Sequence, residues 1–302
     1  MVSINRILCA IDFSDFSRDA LRHGLALAKW YSAELTLFHA YQVSQPLAVT
    51  GVQASVPAFV AVDPEKVADE VRAFCAPLLA SSEQKAAIVV RPGDPAREIR
   101  HEAEAGRADL VILGTHGRSG FERLFLGSVT EKVLRSTPVP VLTIPPPVRE
   151  PGPRIYGTIL CPIDFSDTSI RALEYALSLA QESDARLILL HVLEDVLGAA
   201  RPGTFGDLTL AEYYRRREEE AAARLGAVLP EEARAWCHPE ERVVIGRAYD
   251  EILTIVADER VDLVVMGVQG AGVLNRLVFG STTHRVIREA SCPVLTLGTQ
   301  PR

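Results

Sequence analysis

The feature that most narrows what this chain can fold into is that it repeats itself. With a shift of 152 residues, Ile11-Asp12-Phe13-Ser14-Asp15 falls on Ile163-Asp164-Phe165-Ser166-Asp167, and His39 falls on His191. With a shift of 153, Gly114, Gly117, Gly127 and Ser128 fall on Gly267, Gly270, Gly280 and Ser281. Pro140-Val141-Leu142-Thr143 likewise falls on Pro293-Val294-Leu295-Thr296. Matches that run from end to end of both halves mean duplication of a whole domain, so any fold proposed for the chain must be built twice. A length of 302 residues allows it, each half being long enough to bury a core of its own.

The stretch from Pro145 to Pro153 contains five prolines, which fix φ and remove amide donors. It predicts a stiff linker over residues 147–153 between domains at 1–146 and 154–302, short enough to keep the two packed together. Within each half, β-rich apolar runs alternate with segments of helical period, the pattern of a parallel sheet covered by helices. The runs are Ile7 to Ile11, Leu35 to Ala40, Ala87 to Val90, Leu110 to Leu113 and Val139 to Ile144 in the first half. In the second they are Thr158 to Ile163, Arg186 to Leu193, Arg242 to Ile245, Leu263 to Met266 and Val294 to Leu297. The expected architecture is α/β: two tandem doubly wound domains, each a five-stranded parallel sheet. Asp15 to Tyr31 reads as a helix with Ala20, Leu21, Leu25 and Ala28 on its apolar stripe and Ser14 as N-cap, and Ser166 should cap its counterpart. Leu208 to Leu229 reads as a solvated helix with Glu212/Arg216, Arg215/Glu219 and Arg216/Glu220 at i,i+4.

The chemistry-bearing loops follow the fourth strand of each half. Gly114-Thr115-His116-Gly117, nine residues, then Gly127-Ser128 open a helix in the first half; Gly267-Val268-Gln269-Gly270, nine residues, then Gly280-Ser281 do so in the second. Glycine suits a backbone that must approach a ligand or take positive φ, and free amides at a helix start favour a phosphate. Asp12 and Asp164 end the first strands, at the carboxyl edge where open α/β sheets bind ligands, so each could accept from a ribose hydroxyl or a base amino group. His116 is either a phosphate contact or an exposed loop residue, and His39 and His191 read as structural.

These spaced motifs carry a family resemblance. Gly-x2-Gly-x9-Gly-Ser, preceded by Ile-Asp-Phe-Ser at the first strand and followed by Pro-Val-Leu-Thr at the last, resembles the universal stress protein family, twice over. The resemblance implies a sheet order of 3-2-1-4-5 and a cytoplasmic protein of the stress response. In the ATP-binding branch of that family the same motifs hold the nucleotide. The implied sites are Asp12, Ala40, Gly114, Gly117, Gly127, Ser128 and Val129 in the first half, and Asp164, Val192, Gly267, Gly270, Gly280, Ser281 and Thr282 in the second. The expected ligand is ATP, with Mg²⁺ brought in by the nucleotide. The second half departs at Val268-Gln269 and Ala271, which lowers the expected affinity of its site. The last strand forms the dimer contact in the family, so the two halves are expected to mimic that dimer, and two chains to associate further.

Several other classes are set aside. A P-loop enzyme needs Gly-Lys-Ser/Thr at the helix start, but Ser128 follows Leu126-Gly127. A dinucleotide oxidoreductase needs its glycines in the first strand-to-helix turn, which here is Asp12-Phe13-Ser14-Asp15. A net charge of -7 without a Lys/Arg-rich block argues against a nucleic-acid surface. No apolar run is long enough to span a membrane. Five cysteines without metal-ligand spacing read as reduced thiols, Cys9 and Cys161 as packing residues. The uncharged loop Gln42 to Val62 reads as packed against the neighbouring domain, the alternative being an interaction surface. The functions left are a nucleotide-dependent regulator acting on a protein partner, a nucleotide-independent scaffold of the same fold, and a slow ATPase. No general base is placed for hydrolysis, so an enzyme is not expected.

Overall fold

The computed structural model describes residues 2–41, 62–116, 126–145, 155–194, 209–237, 239–268 and 280–298. The first half runs β1 (Arg6–Ala10), α1 (Asp15–Tyr31), β2 (Glu34–Tyr41), α2 (Pro64–Ala80), β3 (Ala86–Pro92), α3 (Pro95–Ala105), β4 (Leu110–Gly114), α4 (Ser128–Ser136) and β5 (Val141–Ile144). The second runs β6 (Thr158–Pro162), α5 (Asp167–Ser183), β7 (Arg186–Glu194), α6 (Leu210–Val228), α7 (Glu231–Trp236), β8 (Glu240–Gly246), α8 (Ala248–Asp258), β9 (Leu263–Gly267), α9 (Ser281–Glu289) and β10 (Val294–Leu297). The expected linker at 147–153 and all but Val62 of the Gln42 to Val62 loop lie outside the described residues.

The strand order is β3-β2-β1-β4-β5 in the first half and β8-β7-β6-β9-β10 in the second, all parallel within a half. This is the anticipated doubly wound order, with its reversal between β1 and β4 and between β6 and β9. The edge strands β5 and β10 close on each other antiparallel, with Leu142 opposite Leu295, so the halves form one ten-stranded sheet. Two buried hydroxyls stitch this seam: Thr143 Oγ1 donates to the Val294 carbonyl at 3.1 Å, and Thr296 Oγ1 donates to the Val141 carbonyl at 3.2 Å.

Alternation along the strands divides the core in two. Ile7, Cys9, Leu35, Leu37 and Ile112 point to the face covered by α1, α2, α5 and α6; Leu8, Phe38, Val111 and Leu113 point to the face covered by α3, α4, α8 and α9. Both apolar clusters run through both halves without a break. Cys9 and Cys161 are fully buried in the first cluster, where desolvation raises their thiol pKa values far above the usual range, as expected of packing residues.

Helix starts follow the capping rules read from the chain. Ser14 accepts from the Ser17 amide at 3.1 Å and Ser166 from the Ser169 amide at 3.2 Å. The solvated helix α6 starts two residues later than its periodicity suggests. Thr209 and Glu212 form a reciprocal capping box there, a Thr-x-x-Glu signal masked by the apolar Leu208 and Leu210. That box turns Glu212 back on Thr209, while Arg215 pairs with Glu219 at 2.9 Å as expected.

Candidate functional site

The first site is built at the reversal of strand order. Asp12 lies two residues beyond β1, and its Oδ1 accepts from the Ser14 amide at 3.0 Å and from the Ser14 hydroxyl. Ala40 stands near the end of β2. Gly114 ends β4, and its carbonyl accepts from Thr130 Oγ1 at 2.9 Å, which ties the strand end to the first turn of α4. The Gly127 amide donates to the Thr115 carbonyl at 2.8 Å, and the Thr115 amide donates to the Ile144 carbonyl at 3.0 Å. These bonds bring the start of α4 against the end of β4.

A cavity of about 320 Å³ opens there. Its wall includes Asp12, Ala40, Gly114, Gly127, Ser128 and Val129, six of the seven residues expected in this half. The seventh, Gly117, lies outside the described residues. The rest of the wall divides by chemistry. Ala10, Phe38, Ile99 and Leu113 are apolar, while Ser17, His39, His116 and Thr130 are polar. Pro95 and Ile99 come from α3, and nothing in their local sequence marks them, because they reach the cavity only when α3 packs beside α4.

The start of α4 carries no side-chain cap; its N-cap is Gly127, at φ -57°. By contrast α1, α2, α3, α5 and α6 are each capped by a Ser, Asp or Thr side chain. The first amides of α4 therefore line a cavity with the positive end of the helix dipole behind them. His116 contributes an unusual group. Its Nδ1 lies 2.9 Å from Thr115 Oγ1, while its Nε2 is buried with no hydrogen-bond partner among the described residues. Desolvation lowers its pKa, so the ring is neutral at pH 7.

Gly114 and Gly267 have a different reason from the one the sequence suggests. The only glycine with φ in the left-handed range among the described residues is Gly93. A Cβ on Gly114 would stand 2.8 Å from Phe16 Cβ, and one on Gly267 would stand 2.5 Å from Thr168 Oγ1. Glycine here lets the first helix of each half close on the end of the fourth strand.

The second half repeats the scaffold. Asp164 Oδ1 accepts from Ser166 N at 3.0 Å, Thr283 Oγ1 donates to the Gly267 carbonyl at 2.9 Å, and the Gly280 amide donates to the Val268 carbonyl at 3.0 Å. The helix α9 begins at Ser281 and Thr282 behind an uncapped Gly280. Val192 lies on β7 at the register of Ala40 on β2. Gly270, Gln269 and Ala271 lie outside the described residues. Val268 stands where the first half has Thr115, so the second half lacks the buried hydroxyl that engages His116. Among the described residues, no cluster of His, Cys, Asp or Glu has the makings of a metal site, and no helix is long and apolar enough to cross a membrane.

A sheet with its strand order reversed between β1 and β4, and again between β6 and β9, defines a doubly wound α/β domain, here in tandem, with a cavity at the reversal of the first half. The family model described as "Universal stress protein family" matches residues 3–145 and again 155–297. The chain belongs to the universal stress protein family, as a tandem two-domain member. A universal stress protein of Thermus aquaticus is 35% identical over 143 residues, covering 47% of this chain and 98% of that protein. One from Methanocaldococcus jannaschii is 30% identical over 146 residues, covering 48% of this chain and 84% of its own length. Each therefore matches the equivalent of one domain. The crystal structure of a universal stress protein from Archaeoglobus fulgidus superimposes over 97% of this chain and 98% of its own, with a TM-score of 0.65 and 23% identity, a likeness of fold.

Proposed function

We propose that this protein binds an adenine nucleotide, ATP with its Mg²⁺, and works in the cytoplasm as a nucleotide-dependent regulator of a protein partner. The observation that carries the reading is the first-half cavity, where an uncapped helix start, a carboxylate and an apolar wall converge. Its volume of about 320 Å³ falls at the lower end of small-ligand sites. Phosphates would sit against Gly127, Ser128 and Val129, where amides and helix dipole favour negative charge. Asp12 Oδ2 would accept from the ribose or base, since both Ser14 bonds go to Oδ1. Ala10, Phe38 and Ala40 would form the apolar bed of the base. Gly117 belongs to the same loop motif and completes the set.

The second set, Asp164, Val192, Gly267, Gly270, Gly280, Ser281 and Thr282, would form a weaker site because Val268-Gln269 and Ala271 stand where the first half has Thr115-His116 and Arg118, which leaves fewer polar groups for the phosphates. The chain is further proposed to associate as a dimer of tandem chains. No residue of the cavity is assigned a catalytic role.

The test is the nucleotide content of the purified protein, released by denaturation and separated by chromatography, beside the double variant Gly127→Val/Gly280→Val. Between about one and two moles of adenine nucleotide per chain are expected, lost in a variant that still unfolds cooperatively. If none co-purifies and added MgATP does not shift the thermal transition, the nucleotide reading fails.

A further inference from the structure

Phe13 and Phe165 have φ of 65° and 64°, a left-handed conformation that bulky side chains rarely adopt. Each follows directly on the strand-end carboxylate of its half. The bonds that fix Asp12 span this residue, since its Oδ1 reaches over Phe13 to the amide and hydroxyl of Ser14. Asp164 reaches over Phe165 to Ser166 in the same way. Were the phenylalanine to relax to negative φ, the Ser14 amide would swing away and the carboxylate would lose both donors.

Both halves oppose that relaxation with the same contact. The Phe13 ring lies 4.7 Å from the His39 ring, and Phe165 lies 4.6 Å from His191. Each histidine is itself anchored, with Nδ1 2.7 Å from the carbonyl oxygen of Ile11 or Ile163. A carbonyl only accepts, so Nδ1 carries the proton and the ring is held at the end of the second strand. Another face of each phenylalanine is covered by unlike chemistry. In the first half Phe74 of α2 meets Phe13 edge-on at 5.5 Å, with the Arg18 guanidinium 4.5 Å from the Phe74 ring centre. In the second, the Arg224 guanidinium of α6 lies 4.0 Å over Phe165. Phe74 precedes the buried Cys75 as Arg224 precedes the buried Leu225, with Val71 and Ala221 buried one turn earlier, so the two are equivalent positions. What the halves share is a covered ring, by an aromatic edge in one and a cation in the other.

We propose that Phe13 and Phe165 are positioning residues for the two sites: the tilted ring contact with His39 or His191 holds a left-handed turn that sets the carboxylate of Asp12 or Asp164 toward the ligand. The proposal rests on the nucleotide reading and adds to it a mechanical link from α2 and α6 to the site. The test is isothermal titration of the full-length chain with MgATP, with thermal unfolding alongside, for the wild type, Phe13→Leu and Phe13→Gly. Leucine keeps bulk but loses the ring contact, so the turn relaxes and first-site affinity falls about tenfold. Glycine takes left-handed φ freely, so its affinity stays within about threefold of wild type although it buries least and melts lowest. Affinity and melting temperature are thus expected to rank the two variants in opposite orders, which a merely structural residue would not do. Wild-type affinity in Phe13→Leu, or equal loss in both variants, overturns the proposal and leaves the nucleotide reading standing. A wild-type chain that binds no MgATP sinks both.

Discussion

At the scale of single residues, most of the site's geometry is steric and only a few groups carry chemistry. Gly114 and Gly267 are small so that the first helix can close on the fourth strand, and Thr130 and Thr283 then fasten the next helix to those glycine carbonyls. Elsewhere in the chain one buried residue sets a pH dependence. His23 on α1 is 4% exposed, with Nδ1 3.1 Å from the Asp19 carbonyl, and burial lowers its pKa despite that bond. The unfolded chain takes up a proton near pH 6.5, whereas folded His23 does so only at lower pH, so the unfolded state binds more protons in between. Stability therefore falls as pH drops below about 6.5, and His116 acts in the same sense. Urea unfolding at pH 7.5 and 5.5 should show a smaller loss for His23→Gln than for the wild type. Equal losses would mean that His23 does not contribute.

At the scale of elements, α4 and α9 are the helices that begin after a glycine with no side-chain cap, while α7 and α8 begin uncapped after Pro230 and Arg247. Five other helices spend a Ser, Asp or Thr side chain on their first amides, whereas the first turn of α4 is left to face the cavity. The seam between β5 and β10 is an element of a different kind, four residues on each strand, with main-chain pairing supplemented by the Thr143 and Thr296 hydroxyls. Replacing both with valine keeps the shape and removes the two hydroxyl bonds. The loss should be about 1–3 kcal/mol by chemical denaturation, with ATP affinity unchanged because the seam is not part of the cavity wall. A change in affinity would show that the halves communicate through this seam.

At the scale of the whole molecule, the two halves are not beads on a string. They share one ten-stranded sheet, and both apolar layers run through both halves. Val2 of the first half donates its amide to Ser178 Oγ of the second at 2.7 Å. Residues 1–146 alone would expose the edge of β5 together with apolar surface at Leu142 and Ile144. Expressed by themselves they should pair β5 with β5 and elute as a dimer in size-exclusion chromatography with light scattering. A stable monomer would show that the edge is not adhesive.

Much of this was legible in the chain because the signals are local or periodic. The repeat, the alternation of strands with helices, the Ser14 and Ser166 caps and the helix from Asp15 to Tyr31 follow from spacing, propensity and capping, which act within a few residues. Six of the seven first-half residues named from the glycine spacing and the strand-end Asp12 line one cavity. The contributions of Pro95 and Ile99, the left-handed turns at Phe13 and Phe165, and the histidine ring contacts that cover them were not legible. Each depends on residues distant in the chain, brought together by packing, and a phenylalanine carries no local preference for positive φ. So the sequence by itself determined the duplicated doubly wound scaffold and the strand ends and helix start that wall the first cavity. Pairing through the last strands was expected from the family resemblance, but tertiary structure alone decided which side chains wall the cavity and which hydroxyls fasten the seam, because those contacts form only when helices and strands far apart in the chain bury their apolar faces together.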